Sequence, residues 1–502
     1  MSAFPAVSDV KESGATRASG PAYAFYGDDF TGATDTLAHL ARAGLRTMLF
    51  LAPPDAARLE NLGPLDALGV AGAARTMSPA AQQQELARVG AAFAALGVRV
   101  MHYKVCSTFD SAPDTGSIGV AIRTLREYCG NELVAIVGGQ PNLRRYCVFG
   151  QLFAAAGADD GEQRIHRIDR HPTMSRHPVT PMNEADLRVH LQRQGVERVG
   201  LIDTRCYALG DAAVQAEVRR KLATNPDALL FDVLDDTHLQ AIGKVVVAQA
   251  SRTAPLLAVG ASSVAQAYAF ALATTRPESA RENEALPRLT RASGPVFVLA
   301  GSLSPLTEMQ IEAAYSYLRI ELDPQQMTGE RSEVYLVERV AAIAAALRTG
   351  RNVLAFTARR RTNEAPNTAA DIAPGNRPSS QESAANPAQK SQEAHESQEP
   401  APQARLAQAC GLLLQQVLGT VRLRRIGIAG GDTSSFAVRA LDAWGLSYLA
   451  PLATGVTMCR LHSDRAELDG IEMMLKGGQM GDANLFEQLI EGERVELALA
   501  AP

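Results

Sequence analysis

The chain has 502 residues, 46% of them apolar, with 54 acidic against 49 basic side chains and a formal charge of −5. That length is too great for one ordinary core and predicts two domains. The balanced charge excludes a global field suited to nucleic acid or an anionic membrane, and no apolar run reaches membrane-spanning length. Six cysteines (Cys106, Cys129, Cys147, Cys206, Cys410, Cys459) are scattered with no CxxC pair and no zinc spacing. Free thiols in a reducing compartment follow. Residues 1–20 lack an apolar core of signal-peptide length, so a flexible leader on a cytoplasmic protein is expected.

Residues 22–51 (AYAFYGDDFTGATDTLAHLARAGLRTMLFL) read as one βαβ unit. The strand covers 22–26, the turn 27–32, the helix 33–43 and a second strand 47–51. In such a unit ligands sit beyond the carboxyl end of the strand. Here that place holds Asp28, Asp29 and Thr31. Two carboxylates at a helix start repel phosphate and suit sugar hydroxyls, a cation, or a base acting on an alcohol. One of the two could simply cap the helix.

A helix over 80–96 and a strand over 98–105 follow, with Lys104 near the strand's carboxyl end. The next residues, CSTFDSAPDTGS at 106–117, are dense in hydroxyls and carboxylates. Lys104, Ser107, Thr108, Asp110 and Ser111 thus share the sheet-top position of Asp28 and Asp29. A lysine there can meet a substrate carboxylate and hydroxyls can bind a polyol, although Ser and Asp also build ordinary turns. A helix at 119–129 and a strand at 133–137 lead into Gly138–Gly139–Gln140–Pro141–Asn142, again at a strand's end. Residues 170–181, RHPTMSRHPVTP, carry three prolines that forbid regular structure; His171, Arg176 and His177 there could face an anionic substrate. Strands at 199–203, 229–233 and 256–260 and a helix at 264–274 complete an α/β domain over 21–275 with a mainly parallel sheet. The charged stretch 276–294 reads as a linker.

The second domain, 295–495, opens with a strand at 296–300 and Gly301–Ser302–Leu303–Ser304–Pro305. After a strand at 352–357, residues 358–405 contain no Val, Leu, Phe, Tyr, Trp, Met or Cys. Such a segment cannot bury a core and is expected to be disordered. A helix resumes near 406 and ends near 417. A strand at 425–429 runs into GGDTSS at 430–435, then a helix at 436–443. Paired glycines and hydroxyls between strand and helix suit a phosphate, whereas neither a Walker A loop nor GxGxxG is present. The same residues could equally form a tight turn with a serine cap. MLKGGQMGD at 474–482 adds three glycines and Lys476, a candidate phosphate or nucleobase-side contact.

GDDFTGATD at 27–35, KVCSTFDS at 104–111, GSLSPLTEMQ at 301–310, GGDTSS at 430–435 and LKGGQMGD at 475–482 resemble, in order and approximate spacing, the motifs of the four-carbon acid sugar kinase family. The resemblance spans residues 22 to about 489. It implies two α/β domains with mainly parallel sheets around an interdomain cleft, the first binding a sugar acid and the second ATP. It further implies Mg²⁺-assisted transfer of a phosphoryl group to the terminal hydroxyl of threonate, erythronate or a 3-oxo-tetronate. Tyr26–Gly27 before the aspartates, together with RHPTMSRHPVTP, resembles the 3-oxo-isoapionate kinase branch.

On that resemblance Asp29 is the base and Asp28 the substrate or cation ligand, with the order reversible. Thr31, Lys104, Ser107, Thr108, Asp110, Arg176 and His177 bind the sugar acid; Ser302, Gly431, Asp432, Thr433, Ser434 and Gly477 bind the nucleotide. No metal ligands are assigned, and a homodimer is one admissible assembly. Two other readings stay open: a sugar-acid-binding regulator without turnover, and a metal-dependent aldolase or dehydratase using the aspartates with His171 and His177.

Overall fold

The computed structural model describes residues 20–157, 163–177, 179–275, 288–301, 304–357, 402–478 and 480–492. The expected leader up to residue 19, Ser302, and residues 358–401 of the expected insertion lie outside them. Among the described residues no helix is long and apolar enough to cross a membrane.

Among the described residues one sheet of 15 strands runs through both halves of the chain. Its first-half lobe has the order Thr47–Phe50, Ala67–Ala71, Tyr23–Gly27, Val100–Lys104, Leu256–Gly260, Val134–Gly138, Ala228–Asp232, Val199–Ile202, all parallel. Its second-half lobe has Tyr317–Glu321, Asn352–Phe356, Val296–Ala300, Arg425–Ala429 and Glu472–Lys476, also parallel. The antiparallel strands Val456–His462 and Gly445–Ala453 join the lobes. The join to the first half is narrow: Gly445 pairs with Phe50 and Leu446 with Leu49, antiparallel. The fold is thus the expected α/β class, but two separate sheets are replaced by one continuous sheet.

Parallel strands buried on both faces read as continuous apolar runs, because alternate residues feed opposite cores. Tyr23 and Phe25 point into one core, and Ala24 and Tyr26 into the other. Each large side chain removed from water contributes about 1.5–3 kcal/mol, so these short strands are held mainly by their two faces. A smaller antiparallel sheet (Arg145–Val148, Gln151–Gly157, Gln163–Arg167) rises from the first half.

Several expected boundaries move. The first helix is Phe30–Arg42, three residues earlier than expected, because Asp29 caps it from an extended conformation. The helix after Arg425–Ala429 is Gly431–Ala440, so most of GGDTSS is its first turn and not a loop. Helix Pro402–Thr420 starts inside the segment expected to be disordered, whose composition misled because alanine and glutamine also favour helix. Leu289, placed in the linker by its charged neighbours, is buried in the second-half core.

Candidate active site

The acidic turn sits where strand Tyr23–Gly27 meets helix Phe30–Arg42. Asp28 and Asp29 are both buried. Asp29 Oδ1 accepts from Gly32 N at 3.1 Å, which is the helix cap. The same carboxylate also accepts from Thr31 Oγ1 at 2.6 Å, Lys104 Nζ at 3.1 Å and Arg75 Nη1 at 3.1 Å. Asp28 takes the other edge of the Arg75 fork, from Nε at 3.1 Å and Nη2 at 2.7 Å. Burial alone would raise the pKa of Asp29, but Arg75 and then Lys104, with hydrogen bonds from Thr31 and Lys104, hold it far below the usual carboxylate range. For Asp28 burial wins over the same two cations, with Asp29 adding to it, and its pKa rises. Gly32 is required by the same cluster: a Cβ there would lie 1.4 Å from Lys104 Nζ. Capping and charge clustering therefore coexist on Asp29.

Arg75 was not singled out in the sequence. It follows strand Ala67–Ala71 on a short 3₁₀ turn, Ala74–Thr76, in a stretch without a motif. The signal available was position alone: this too is the carboxyl end of a parallel strand.

Lys104 ends strand Val100–Lys104, which pairs with Tyr23–Gly27 in register at Gly27. Both its partners are aspartates of the turn, Asp29 at 3.1 Å and Asp28 at 3.9 Å. Beyond it, Ser107, Thr108, Asp110 and Ser111 are all buried. Thr108 Oγ1 donates to Asp110 Oδ1 at 2.6 Å. Ser111 Oγ lies 2.9 Å from His190 Nε2 and accepts from Gln194 Nε2 at 2.8 Å. The Asp110 carboxyl is pushed up by burial but held down overall by Arg75 and by bonds from Cys106 and Thr108. Arg176 is exposed on a 3₁₀ turn, Met174–Arg176. His177 Nδ1 accepts from Thr180 N at 3.1 Å. His171 Nδ1 accepts from Thr173 N and Met174 N, so it serves as a local turn brace. Among the described residues no group of three His, Cys, Asp or Glu is placed to hold a metal ion.

The second half contributes the start of helix Gly431–Ala440. Gly430 precedes it at φ 123°, ψ 131°, a conformation that side chains rarely adopt, and supplies no side-chain cap. The first-turn amides are therefore left for a ligand, at the positive end of the helix dipole. Ser434 is fully buried and its Oγ has no partner. A Cβ on Gly301 would lie 2.2 Å from Thr433 Oγ1, so the turn after Val296–Ala300 abuts this helix start. These features fit a phosphate chain. The Asp432 side chain lies outside the described residues.

The two halves meet at these residues. Among the described residues a Cβ placed on Gly431 would have Asp29 Oδ2 at 4.0 Å, and one on Gly477 would lie 3.9 Å from Thr31 Oγ1. Arg439 on the second-half helix stacks over Phe30 of the first. Lys476 is not at this surface. It is fully buried, donating to Thr307 Oγ1 at 2.9 Å and to Gln310 Oε1, with no carboxylate beside it. Burial depresses its pKa to about 7. Gln310 in turn donates to the carbonyls of Met480 and Asp482, and Ser304 and Thr307 donate to that of Gly478. Lys476 thus braces the glycine loop from below.

Residues 23–268 match the family of sugar-binding N-terminal domains and residues 297–486 that of nucleotide-binding C-terminal domains. A 3-oxo-isoapionate kinase of Paraburkholderia graminis is 38% identical over 476 residues, covering 93% of this chain and 94% of its own. The chain belongs to the four-carbon acid sugar kinase family. Among acid sugar kinases, 3-oxo-tetronate kinases of Cupriavidus necator and Methylobacterium radiotolerans are 28% and 29% identical, each over 92% of this chain and over 95% and 97% of their own. Solved structures from Salmonella typhimurium LT2 and Haemophilus influenzae superpose with TM-scores of 0.67 and 0.63 at 21% identity. Each covers 93% of this chain, and 97% and 98% of the respective neighbour. At that identity they show the fold alone. The family read from the ordered motifs is the one found.

Proposed function

We propose that this acid sugar kinase uses ATP to phosphorylate the terminal hydroxyl of a small sugar acid, a 3-oxo-tetronate or a branched 3-oxo-isoapionate. The observation that carries it is the approach of the two halves, with Asp29 Oδ2 4.0 Å from the Cβ position of Gly431. A hydroxyl donor held on Asp29 would there meet an anion held on the helix amides.

Phosphoryl transfer through a loose transition state asks mainly for alignment and charge stabilisation. Asp29 is ionised throughout the working pH range, which suits an acceptor that orients the hydroxyl and takes its proton late. Asp28, with its raised pKa, keeps Arg75 in place and is available to a second hydroxyl. Lys104, Thr31, Ser107, Thr108 and Asp110 belong to the sugar side, with Arg176 and His177 farther out. Gly431, Asp432, Thr433, Ser434 and Gly477, with Ser302, belong to the nucleotide side. Mg²⁺ would screen the phosphate charge, entering with the nucleotide and keeping much of its water shell.

A coupled ADP-release screen over 3-oxo-isoapionate, 3-oxo-tetronate, threonate and erythronate tests this. Release should require both the acid and ATP. Tight binding of an acid with no ADP release from any of them would replace the kinase by a regulator.

A further inference from the structure

Arg145 opens strand Arg145–Val148, just after the 3₁₀ turn Pro141–Leu143 at the carboxyl end of Val134–Gly138. Its backbone is pinned on both sides: Gln140 N donates to Arg145 O at 2.8 Å, and Arg145 N to Gln140 O at 3.2 Å. Gln140 Nε2 also donates to Asp35 Oδ2 at 2.9 Å, which ties this turn to the helix behind Asp29. The Arg145 side chain is half-buried. Nη1 donates to the Leu143 carbonyl, while Nε is sealed from solvent and has no partner among the described residues.

An enclosed guanidinium without a counter-charge is costly. Arg75, Lys104 and Arg425 each have a carboxylate against them. Arg145 has none among the described residues; the ionisable groups acting on it are Cys106 and Tyr146, and it acts in turn on His171. Cys106 in turn feels Asp110, Arg75 and Lys104. Arg145 therefore borders the same polar cluster as the acidic turn. Three carboxylates (Asp28, Asp29, Asp110) meet two cations there (Arg75, Lys104), leaving negative charge in excess. A sugar acid brings one more negative charge, and neither Arg75 nor Lys104 is uncommitted.

We propose that Arg145 is the carboxylate clamp of the sugar site, its guanidinium fork taking the substrate's carboxylate while the terminal hydroxyl lies at Asp29. This rests on the kinase reading above and names the group that makes the enzyme acid-specific. A fork binds a planar carboxylate through two parallel hydrogen bonds, which a lysine cannot reproduce.

The test compares 3-oxo-isoapionate with its neutral counterpart carrying a hydroxymethyl group in place of the carboxylate. For Arg145→Gln, kcat/KM for the acid should fall roughly 10²-fold or more, mostly through KM. ATP KM and melting temperature should hold, and the preference for acid over neutral counterpart should collapse. Arg145→Lys, which keeps the charge and the fold, should recover part of the KM. If Arg145→Gln does not fold, Arg145→Lys decides: an unchanged acid KM overturns the clamp. A retained acid preference in Arg145→Gln overturns it as well. Calorimetric binding of the acid, without ATP, separates this from a failure of the kinase reading. Binding lost in Arg145→Gln supports the clamp even if no turnover occurs, and equal binding by both proteins removes it.

Discussion

At Asp29 a helix cap and the proposed reaction site share one carboxylate, Oδ1 toward Gly32 N and Oδ2 toward Gly431. Asp29→Asn keeps the shape and an acceptor for the cap but removes the charge that Arg75 and Lys104 face. We expect kcat to fall by roughly 10²–10⁴, with ATP KM little changed, since the nucleotide is held by the other half. Steady-state kinetics with both substrates varied reads this directly; near-normal kcat with a lowered melting temperature would reduce Asp29 to a cap. The depressed pKa adds a pH signature. Asp29 contributes stability that is present above the unfolded carboxylate value and is lost as pH falls through its lower folded value. The stability gap between wild type and Asp29→Asn should therefore close on acidification. Lys476 acts in the same direction at higher pH. Its folded pKa of about 7 lies below the ordinary 10.5, so between those values the unfolded chain holds more protons. Stability in urea should rise from pH 7 to 9, and Lys476→Met should flatten that slope.

Helix Gly431–Ala440 is the element on which the nucleotide reading stands. Among the described residues a Cβ on Gly431 meets nothing closer than Asp29 Oδ2 at 4.0 Å, so Gly431→Val should fold. It would fill the space before the amides, and ATP KM should rise about tenfold or more, or activity vanish; unchanged ATP kinetics would move the nucleotide elsewhere. The strands Leu256–Gly260, Val296–Ala300 and Arg425–Ala429 could be read to the residue from the sequence. Each is a short apolar run bounded by glycine or charge, which is what double-sided burial imposes. The start of Gly431–Ala440 could not be read. GGDTSS has poor helical propensity, and only the strand geometry before it forces the chain into a turn there. The sheet Arg145–Val148, Gln151–Gly157, Gln163–Arg167 was missed for a related reason: RYCV and QRIHR mix charge with apolar residues and give no clear alternation. With it went Arg145. Arg75 escaped because pairing across 46 residues leaves no trace in local pattern.

At the scale of the molecule, the candidate site lies where the two halves meet. The turn between Gly445–Ala453 and Val456–His462 reaches the sugar side, where a Cβ on Gly455 would lie 2.9 Å from Leu143 and 3.1 Å from Met480 Sδ. That turn touches both the glycine loop and the segment leading to Arg145. The composition of residues 358–401 offers no core. Replacing 361–400 with a short Gly/Ser linker should leave turnover and melting temperature nearly unchanged, because each doubling of loop length costs about 0.6 kcal/mol. A large loss of activity in that variant would give the segment a role at the cleft.

The narrow join in the sheet also decides what happens when the halves are parted. Leu49 and Phe50 are buried because Gly445 and Leu446 pair against them, and Phe50 stacks on Trp444 at 6.2 Å. A fragment ending at residue 275 would leave strand Thr47–Phe50 as a bare edge, with unpaired amides beside an uncovered aromatic ring. Such an edge is a template for a second copy of itself. The severed first half should therefore self-associate, measurable by light scattering, and the separated second half should show a red-shifted Trp444. The join that brings the two halves of the candidate site together thus also covers the edge on which the first half's solubility is expected to depend.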